Sequence, residues 1–474
     1  MLLNDIPNYQ RVLLLQGPIG PFFRRLARFL EERGTDVFKI NFNAGDALFY
    51  PALPRNPRVR SFRQKATAWK SFVSQLLTAE RIQAIFLFGD CRFYHRTAIR
   101  IARRLGIAVF VFEEGYVRPD YVTLERDGVN GFSSFLQAWP VHQAHTTAVE
   151  PPAPRPVGRF IIWPTVFYAM FYGLAGALMR RANPYYGHQV HYFSVAHGLH
   201  WLYGWLLKPV YAFRERKLLS QLSGPLSKRY FLVPLQVHRD AQVVVHSEFR
   251  HVGHFIRHVI DSFAREAPGY LHLVLKHHPM DRGFRDHGRL IREAAGQLGV
   301  ADRVHYVHDL HLPTLLRHAR GTVVINSTVG LSSLLHGTPV KTHGKAVYNL
   351  PGLVHQGPLA SFWRKPEPID RQLHNHFRRY LIARTQINGN FYSWRGFEYG
   401  RELGHAAVTR TPTEPARATG RICDNPGRAG TALSLAAQYP VYSANGTKKS
   451  WAPQTPVRPL TASNSSPPRM TTRV

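Results

Sequence analysis

The chain has 474 residues, with 61 Lys and Arg against 29 Asp and Glu, a formal charge of +32 before any of its 26 histidines titrate. Hydrophobic residues make up 44% and aromatic residues 12%, enough to build full cores, which excludes wholesale disorder. Two cysteines, Cys91 and Cys423, exclude a disulfide scaffold, and the apolar surroundings of Cys91 fit a reducing cytoplasm or its membrane face.

Residues 1–10 are short and polar, with Asp5 and Pro7, and lack the basic-then-apolar layout of an export signal. From there the chain alternates short apolar runs with helical patterns. Strands are expected at 12–15, 36–40, 84–88 and 107–112, with helices at 21–33, after the glycine turn 17–20, and at 97–105. The third strand ends in Gly89-Asp90 and the fourth in Glu113-Glu114-Gly115. Apolar strands separated by helices and ending in polar loops predict a parallel sheet covered on both faces.

The longest uncharged run, 160–179, is bounded by Arg159 and Arg180–Arg181 and interrupted by Pro164. Its length would reach across a bilayer, but its aromatic and glycine content suits an interface. The stretch 185–211 interleaves His and Lys with Trp201, Tyr203 and Trp205, as headgroup-level segments do. Three readings stay open: a buried helical hairpin, peripheral membrane contact, and a spanning helix.

A second alternating region follows, with strands expected at 230–234, 271–276, 304–306 and 322–325 and helices at 247–265 and 328–335. The pattern predicts a two-lobed α/β protein with its ligand beyond the carboxyl ends of the strands. From about residue 409 the chain turns to Thr, Pro, Ser, Ala and Arg with no apolar period, the composition of a flexible tail.

Four strand ends carry chemistry. Lys276-His277-His278-Pro279 closes the run LHLVL and offers donors for a phosphate, with a solvated strand end as the plain alternative. His277 and His278 point opposite ways on an extended chain, and no Cys or second His pair stands at ligand spacing, so no metal is expected. Asn326-Ser327-Thr328 links the run TVVI to a helix; these residues cap helices, and such a turn also binds phosphate. After the run FLVP, Gln236 precedes Arg239 and Asp240, a carboxylate that cationic neighbours would keep ionised as a nucleophile requires. Glu113 and Glu114 repel each other, which raises one of them toward acid/base use. Surface salt bridging is the plain alternative for these acids.

Taken together, the segments FLFGDCRFYH (86–95), FEEGYVRPDYVTLE (112–125), FLVPLQVHRDAQV (231–243), KHHPMDRG (276–283) and INSTVGLSSLLHGTPV (325–340) resemble the KpsS-type capsule polysaccharide proteins, relatives of the KpsC retaining β-Kdo transferases. The resemblance runs from about residue 10 to about 395. It implies a GT-B-like fold: a Rossmann-like acceptor-side domain over 1–150, a helical connecting segment over 151–225, and a Rossmann-like CMP-sugar-binding domain over 226–400, with a flexible tail over 401–474. It also implies a CMP-β-Kdo donor with no further cofactor. The acceptor would be (lyso)phosphatidylglycerol, reached at the inner face of a bacterial inner membrane, with a KpsC-like transferase and a capsule export complex as partners.

Carried over residue by residue, His278 and Pro279 match an HP motif that contacts the CMP phosphate, assisted by Ser327 and Thr328. Gln236, Lys276 and Asn326 complete the donor side. Asp240 matches the nucleophile, and Glu114, with Glu113 beside it, matches the acid/base. Relatives often carry Glu-Asp where this chain has Glu113-Glu114. Arg92, His95, Arg118 and Arg239 are the candidates for holding the Kdo carboxylate. A non-catalytic export or scaffold protein is the alternative. A nucleic-acid partner lacks support, since no zinc-finger spacing, aromatic RNA-binding pair or recognition helix is evident. The charge then reads as attraction to donor and lipid, with Lys208 and Arg214 through Lys217 bordering the aromatic segment.

Overall fold

The computed structural model describes residues 8–139, 151, 153–154, 156–157, 162–179, 181, 185–186, 195–238 and 240–392. The sequence expectations for Arg180, Arg239 and the tail 401–474 lie outside the described residues. All described residues belong to one compact unit, Met1–Pro412.

The first lobe runs β1 (Arg11–Leu14), α1 (Phe22–Glu31), β2 (Asp36–Asn41), α2 (Ala44–Phe49), β3 (Val59–Ser61), α3 (Trp69–Ala79), β4 (Ala84–Phe88), α4 (Phe93–Arg104), β5 (Ala108–Glu114), β6 (Tyr121–Arg126) and α5 (Phe135–Ala138). Helices α6 (Ile162–Leu178) and α7 (Val195–Ser223) lead to the second lobe. There follow β7 (Tyr230–Pro234), α8 (Ala241–His246), α9 (Val252–Glu266), β8 (His272–Lys276), α10 (Gly288–Gln297), β9 (Val304–Val307), α11 (Leu312–His318), β10 (Gly321–Val324), α12 (Val329–Leu335) and β11 (Val340–Thr342). Helices α13 (Leu359–Arg364) and α14 (Arg371–Thr385) precede a last strand, β12 (Gln386–Asn388).

Both lobes have the doubly wound parallel character expected of a GT-B-like chain. The second sheet, ordered β11-β10-β7-β8-β9, is parallel throughout. The first, ordered β12-β6-β5-β4-β1-β2-β3, is parallel from β5 to β3, but β6 and β12 run antiparallel along one side. Strand alternation sends Val12, Leu14, Phe86 and Phe110 to one face of this sheet and Leu13, Leu15, Ile85 and Val109 to the other. Each set is buried under its own helices, which is why the central stretches of these strands are continuously apolar.

Glu113 and Glu114 were expected in the loop closing the fourth strand. They are instead its last two residues, paired opposite Thr123 and Val122 of β6. The strands β3, β6, β11 and β12 did not register in the sequence pattern. β3, β11 and β12 have three residues each and lie at sheet edges, too short for an apolar period to show. A further core joins the lobes: Tyr116, Phe135 and Trp139 pack with Leu334, Val340, Phe377 and Leu381.

The two connecting helices are each tied to a lobe. Tyr168 and Tyr172 of α6 are buried, and Tyr172 fits over Gly45, where a Cβ would stand 2.5 Å from the ring. The Tyr172 hydroxyl donates to Asp46 Oδ1 (2.9 Å) and accepts from Asn43 Nδ2 (2.7 Å). Helix α7 is pinned by Glu215, whose carboxylate accepts the backbone N–H groups of His308 (2.8 Å) and Asp309 (3.1 Å), and by Tyr211 stacked on the His308 ring at 3.8 Å. Gly204 of α7 lies so close to Arg282 that a Cβ would meet its carbonyl oxygen at 2.3 Å.

The remaining face of α6 is apolar and uncovered, and that of α7 mixes exposed apolar residues with exposed Lys208, Arg214, Arg216 and Lys217. Trp163 is 78% exposed and Trp205 68%, with Phe167, Met170, Leu174, Tyr203, Leu206 and Phe213 exposed beside them. No helix among the described residues is long and apolar enough to cross a membrane.

Candidate active site at the facing strand ends

In the second lobe, β10, β7 and β8 are neighbours, so the loops that follow them open side by side. Those loops hold Asn326-Ser327-Thr328, Gln236 with Asp240, and Lys276 with His278. The fold thus brings together the predicted donor-side residues from three separate motifs.

His278 caps the short turn Pro279–Asp281 by accepting the Met280 amide at Nδ1, 3.1 Å away. With Nδ1 an acceptor, the neutral ring carries its proton on Nε2, free to donate. Burial lowers the His278 pKa, and Asp240 and Arg118 are both close enough to act on it electrostatically. Asp240 caps α8: one oxygen accepts the Gln242 amide (2.9 Å), the other Gln236 Nε2 (3.0 Å).

Lys276 points inward, its Nζ donating to the His308 carbonyl (3.0 Å), and burial lowers its pKa against the opposing pull of Asp309 and Glu215. His277 turns the opposite way from His278, into the core against the Tyr306 hydroxyl (2.6 Å). Asn326 Nδ2 donates to the Gln242 carbonyl (3.1 Å), and Ser327 Oγ accepts the Val329 amide (3.3 Å). Thr328 makes no side-chain cap and keeps its hydroxyl for other partners. The close turn depends on Gly330, since a Cβ there would meet the Tyr348 hydroxyl at 2.2 Å.

In the first lobe, β1, β4 and β5 are neighbours in the same way. Glu113 and Glu114 face opposite sides of β5. Glu113 turns toward the loop after β4: Gly89 sits at φ +72°, and its bare Cα leaves Glu113 Oε2 3.6 Å from where a Cβ would be. Burial pushes the Glu113 carboxyl up to about 7, with Glu114 and Asp90 adding to the rise, against the Glu114 amide at 3.0 Å and Arg92. Glu114 instead accepts the Tyr392 hydroxyl at 3.1 Å. The two carboxylates therefore occupy different environments.

The four carboxylate-binding candidates separate. Arg92 Nη1 is bonded to Gln16 Oε1 (2.8 Å). His95 is fully buried, its Nδ1 2.6 Å from the Gly89 carbonyl, where it braces the Gly89 loop; burial lowers its pKa to about 3. Arg118 is exposed, with only its Nε tied, to the Gly115 carbonyl (3.2 Å). Arg239 lies outside the described residues.

Several residues here escaped the sequence analysis. Gln16 follows β1, and its amide nitrogen reaches Tyr186 (2.9 Å) and Tyr172 (3.2 Å). Buried Asp90 accepts the Val129 amide (2.9 Å), and Cys91 reaches across to His246 of the second lobe at 3.7 Å. The ligating atoms of Asp90, Cys91 and His246 lie within 4.8 Å of one another, the only group among the described residues arranged to hold a metal ion. The motif FGDC contained two of the three, but nothing in the sequence ties it to a histidine 155 residues away.

Two doubly wound lobes whose strand-end loops carry polar and titratable side chains, among them the perturbed Glu113 carboxyl, define the chain as an α/β protein of two Rossmann-like lobes. The chain belongs to the capsule polysaccharide biosynthesis protein family, whose model matches residues 83–392. It is 42% identical over 408 residues to the capsule polysaccharide modification protein LipB of Neisseria meningitidis, covering 83% of this chain and 94% of that one. To the capsule polysaccharide export protein KpsS of Escherichia coli it is 37% identical over 390 residues, covering 81% and 97%. Among solved structures it is similar to the β-Kdo 2,7 transferase of Thermosulfurimonas dismutans KpsC, at 13% identity and a TM-score of 0.38, covering 84% of this chain and 99% of that one.

Proposed function

We propose that the protein is a retaining β-Kdo transferase that moves Kdo from CMP-β-Kdo to a (lyso)phosphatidylglycerol acceptor, the first unit of a poly-Kdo linker for capsule. The observation that carries this reading is the placement of His278 Nε2–H, the Ser327 and Thr328 hydroxyls and the Asp240 carboxylate on three adjacent strand ends.

In CMP-Kdo the anomeric carbon is bonded through oxygen to phosphate, so the barrier falls when charge on the departing phosphate is stabilised. His278 Nε2–H and the two hydroxyls supply that. Asp240 attacks the anomeric carbon as the carbon–oxygen bond to phosphate breaks and CMP leaves with the electron pair. The acceptor hydroxyl then gives its proton to Glu113 and displaces Asp240, so two inversions give retention. We assign the base to Glu113 in preference to Glu114, because a carboxyl with a pKa of about 7 both takes and returns a proton near neutrality. Arg118, exposed and electrostatically close to His278, is the proposed partner of the Kdo carboxylate.

The uncovered aromatic faces of α6 and α7 support a peripheral position on an anionic membrane, where the lipid acceptor resides. The test incubates the purified full chain with CMP-Kdo, generated in situ, and a short fluorescent phosphatidylglycerol. A product heavier by one Kdo is expected. Its absence, with protein that is folded, would favour a non-catalytic export or scaffold role.

A further inference from the structure

We infer that Asp90, Cys91 and His246 form a zinc site that fastens the first lobe to the second. Asp90 and Cys91 stand in the loop after β4, and His246 ends α8 in the other lobe. Cys91 Sγ lies 3.3 Å from Asp90 Oδ1 and 3.7 Å from His246 Nε2. Zinc bonds of about 2.0 Å to nitrogen and oxygen and 2.3 Å to sulfur, at tetrahedral angles, hold their ligand atoms roughly 3.3–3.8 Å apart. The two separations from Cys91 fall within that range, and the third pair, Asp90 and His246, stands within 4.8 Å, so the histidine side closes slightly on binding.

Each ligand is fixed by its surroundings. Asp90 is 3% exposed; its Oδ2 accepts the Val129 amide at 2.9 Å, which leaves Oδ1 facing the thiol. His246 is 2% exposed, its ring set edge-on to Phe132 at 4.5 Å and pressed on Gly131, where a Cβ would stand 2.3 Å from Nδ1. This packing aims Nε2 at Cys91. The Lys345 amide bonds the His246 carbonyl at 2.8 Å and holds the backbone as well. Supporting contacts that orient the ligands are part of a metal site.

The donor set selects the ion. A thiolate and an imidazole disfavour Mg²⁺ and Ca²⁺, which take oxygen ligands, whereas Zn²⁺ accepts sulfur, nitrogen and oxygen together. On binding, Zn²⁺ replaces the thiol hydrogen, the proton passes to solvent, and water fills the fourth position. This inference does not rest on the proposed transfer reaction, and its test measures no turnover.

The full chain, purified from zinc-supplemented cells, is analysed for metal and then stripped and titrated with cobalt(II). The expected result is about one zinc per chain and a thiolate-to-cobalt charge-transfer absorption on titration. Cys91→Ser and His246→Gln should each retain less than about a tenth of the metal, and Cys423→Ser should retain all of it. Wild-type protein without stoichiometric zinc and without the cobalt band would overturn the site, as would full occupancy in Cys91→Ser. Should a variant fail to fold, by circular dichroism, the wild-type and Cys423→Ser titrations decide alone.

Discussion

The Met280 amide donates to His278 Nδ1 across 3.1 Å, and this one bond settles which edge of the imidazole can serve a ligand. His278→Ala removes the Nε2–H donor from the proposed phosphate site. Transfer from CMP-Kdo should fall by ~10²–10³ in kcat, the scale of losing one preorganised donor. Steady-state transfer assays, with circular dichroism as a control for folding, check this. Near-normal kcat would remove His278 from the mechanism.

Glu113 makes two pH predictions. As a base it must be ionised, so kcat should rise with pH through about 7 and level off above it. Glu113→Gln should lose that inflection along with ~10²–10⁴ of the rate. The second concerns stability. The folded-state pKa of about 7 exceeds the ordinary 4.5, so the native protein binds this proton more tightly than the unfolded chain does. Its favourable contribution is complete below 4.5 and is lost as pH rises through 7. Thermal melts of Glu113→Gln should therefore gain on wild type across that window, and a constant gap would contradict the assignment.

Membrane contact is tested on the uncovered helix faces. Trp163→Glu with Trp205→Glu alters two exposed positions and should leave the melting curve unchanged. Cosedimentation with phosphatidylglycerol vesicles should weaken by at least ~10-fold, given ~1.5–3 kcal/mol for burying each large apolar side chain. Equal binding by the double variant would leave basic residues alone to explain any attachment.

The seating of α6 on the first lobe depends on Gly45. Gly45→Val pushes a side chain into Tyr172 and should cost about 1–3 kcal/mol in denaturant unfolding. Tyr172→Phe keeps the ring but leaves buried Asn43 and Gln16 without the hydroxyl, for about 1–3 kcal/mol. A neutral result for both would mean that α6 is held elsewhere.

Much of this architecture was readable from apolar runs alone. The strands 84–88 and 230–234 coincide with their observed bounds, because continuous burial on both faces writes an uninterrupted apolar word. The position of Asp240, His278 and Ser327 in loops after β7, β8 and β10 was legible for the same reason: each loop follows such a strand. What could not be read was the pairing of distant segments. The resemblance favoured Glu114 over Glu113 as acid/base, and it could not show that strand alternation sends Glu113 toward Gly89 and Glu114 toward Tyr392. His95 looked like a ligand-binding cation, yet a histidine in a helix's first turn serves equally well inside the core. His246 carried no signal at all, since its partners lie in the other lobe.

The final strand, β12, crosses from the second lobe to complete the edge of the first sheet, pairing Ile387 with Val122. In topological terms the second lobe is nested inside the first and does not simply follow it. On the ribosome, the first sheet must wait with β6 unpaired on that side until residue 388 has emerged, by which time the inserted lobe has been fully synthesised. A nascent chain halted before β12 would present an open strand edge, so the order of synthesis makes the inserted lobe the earlier of the two to be finished.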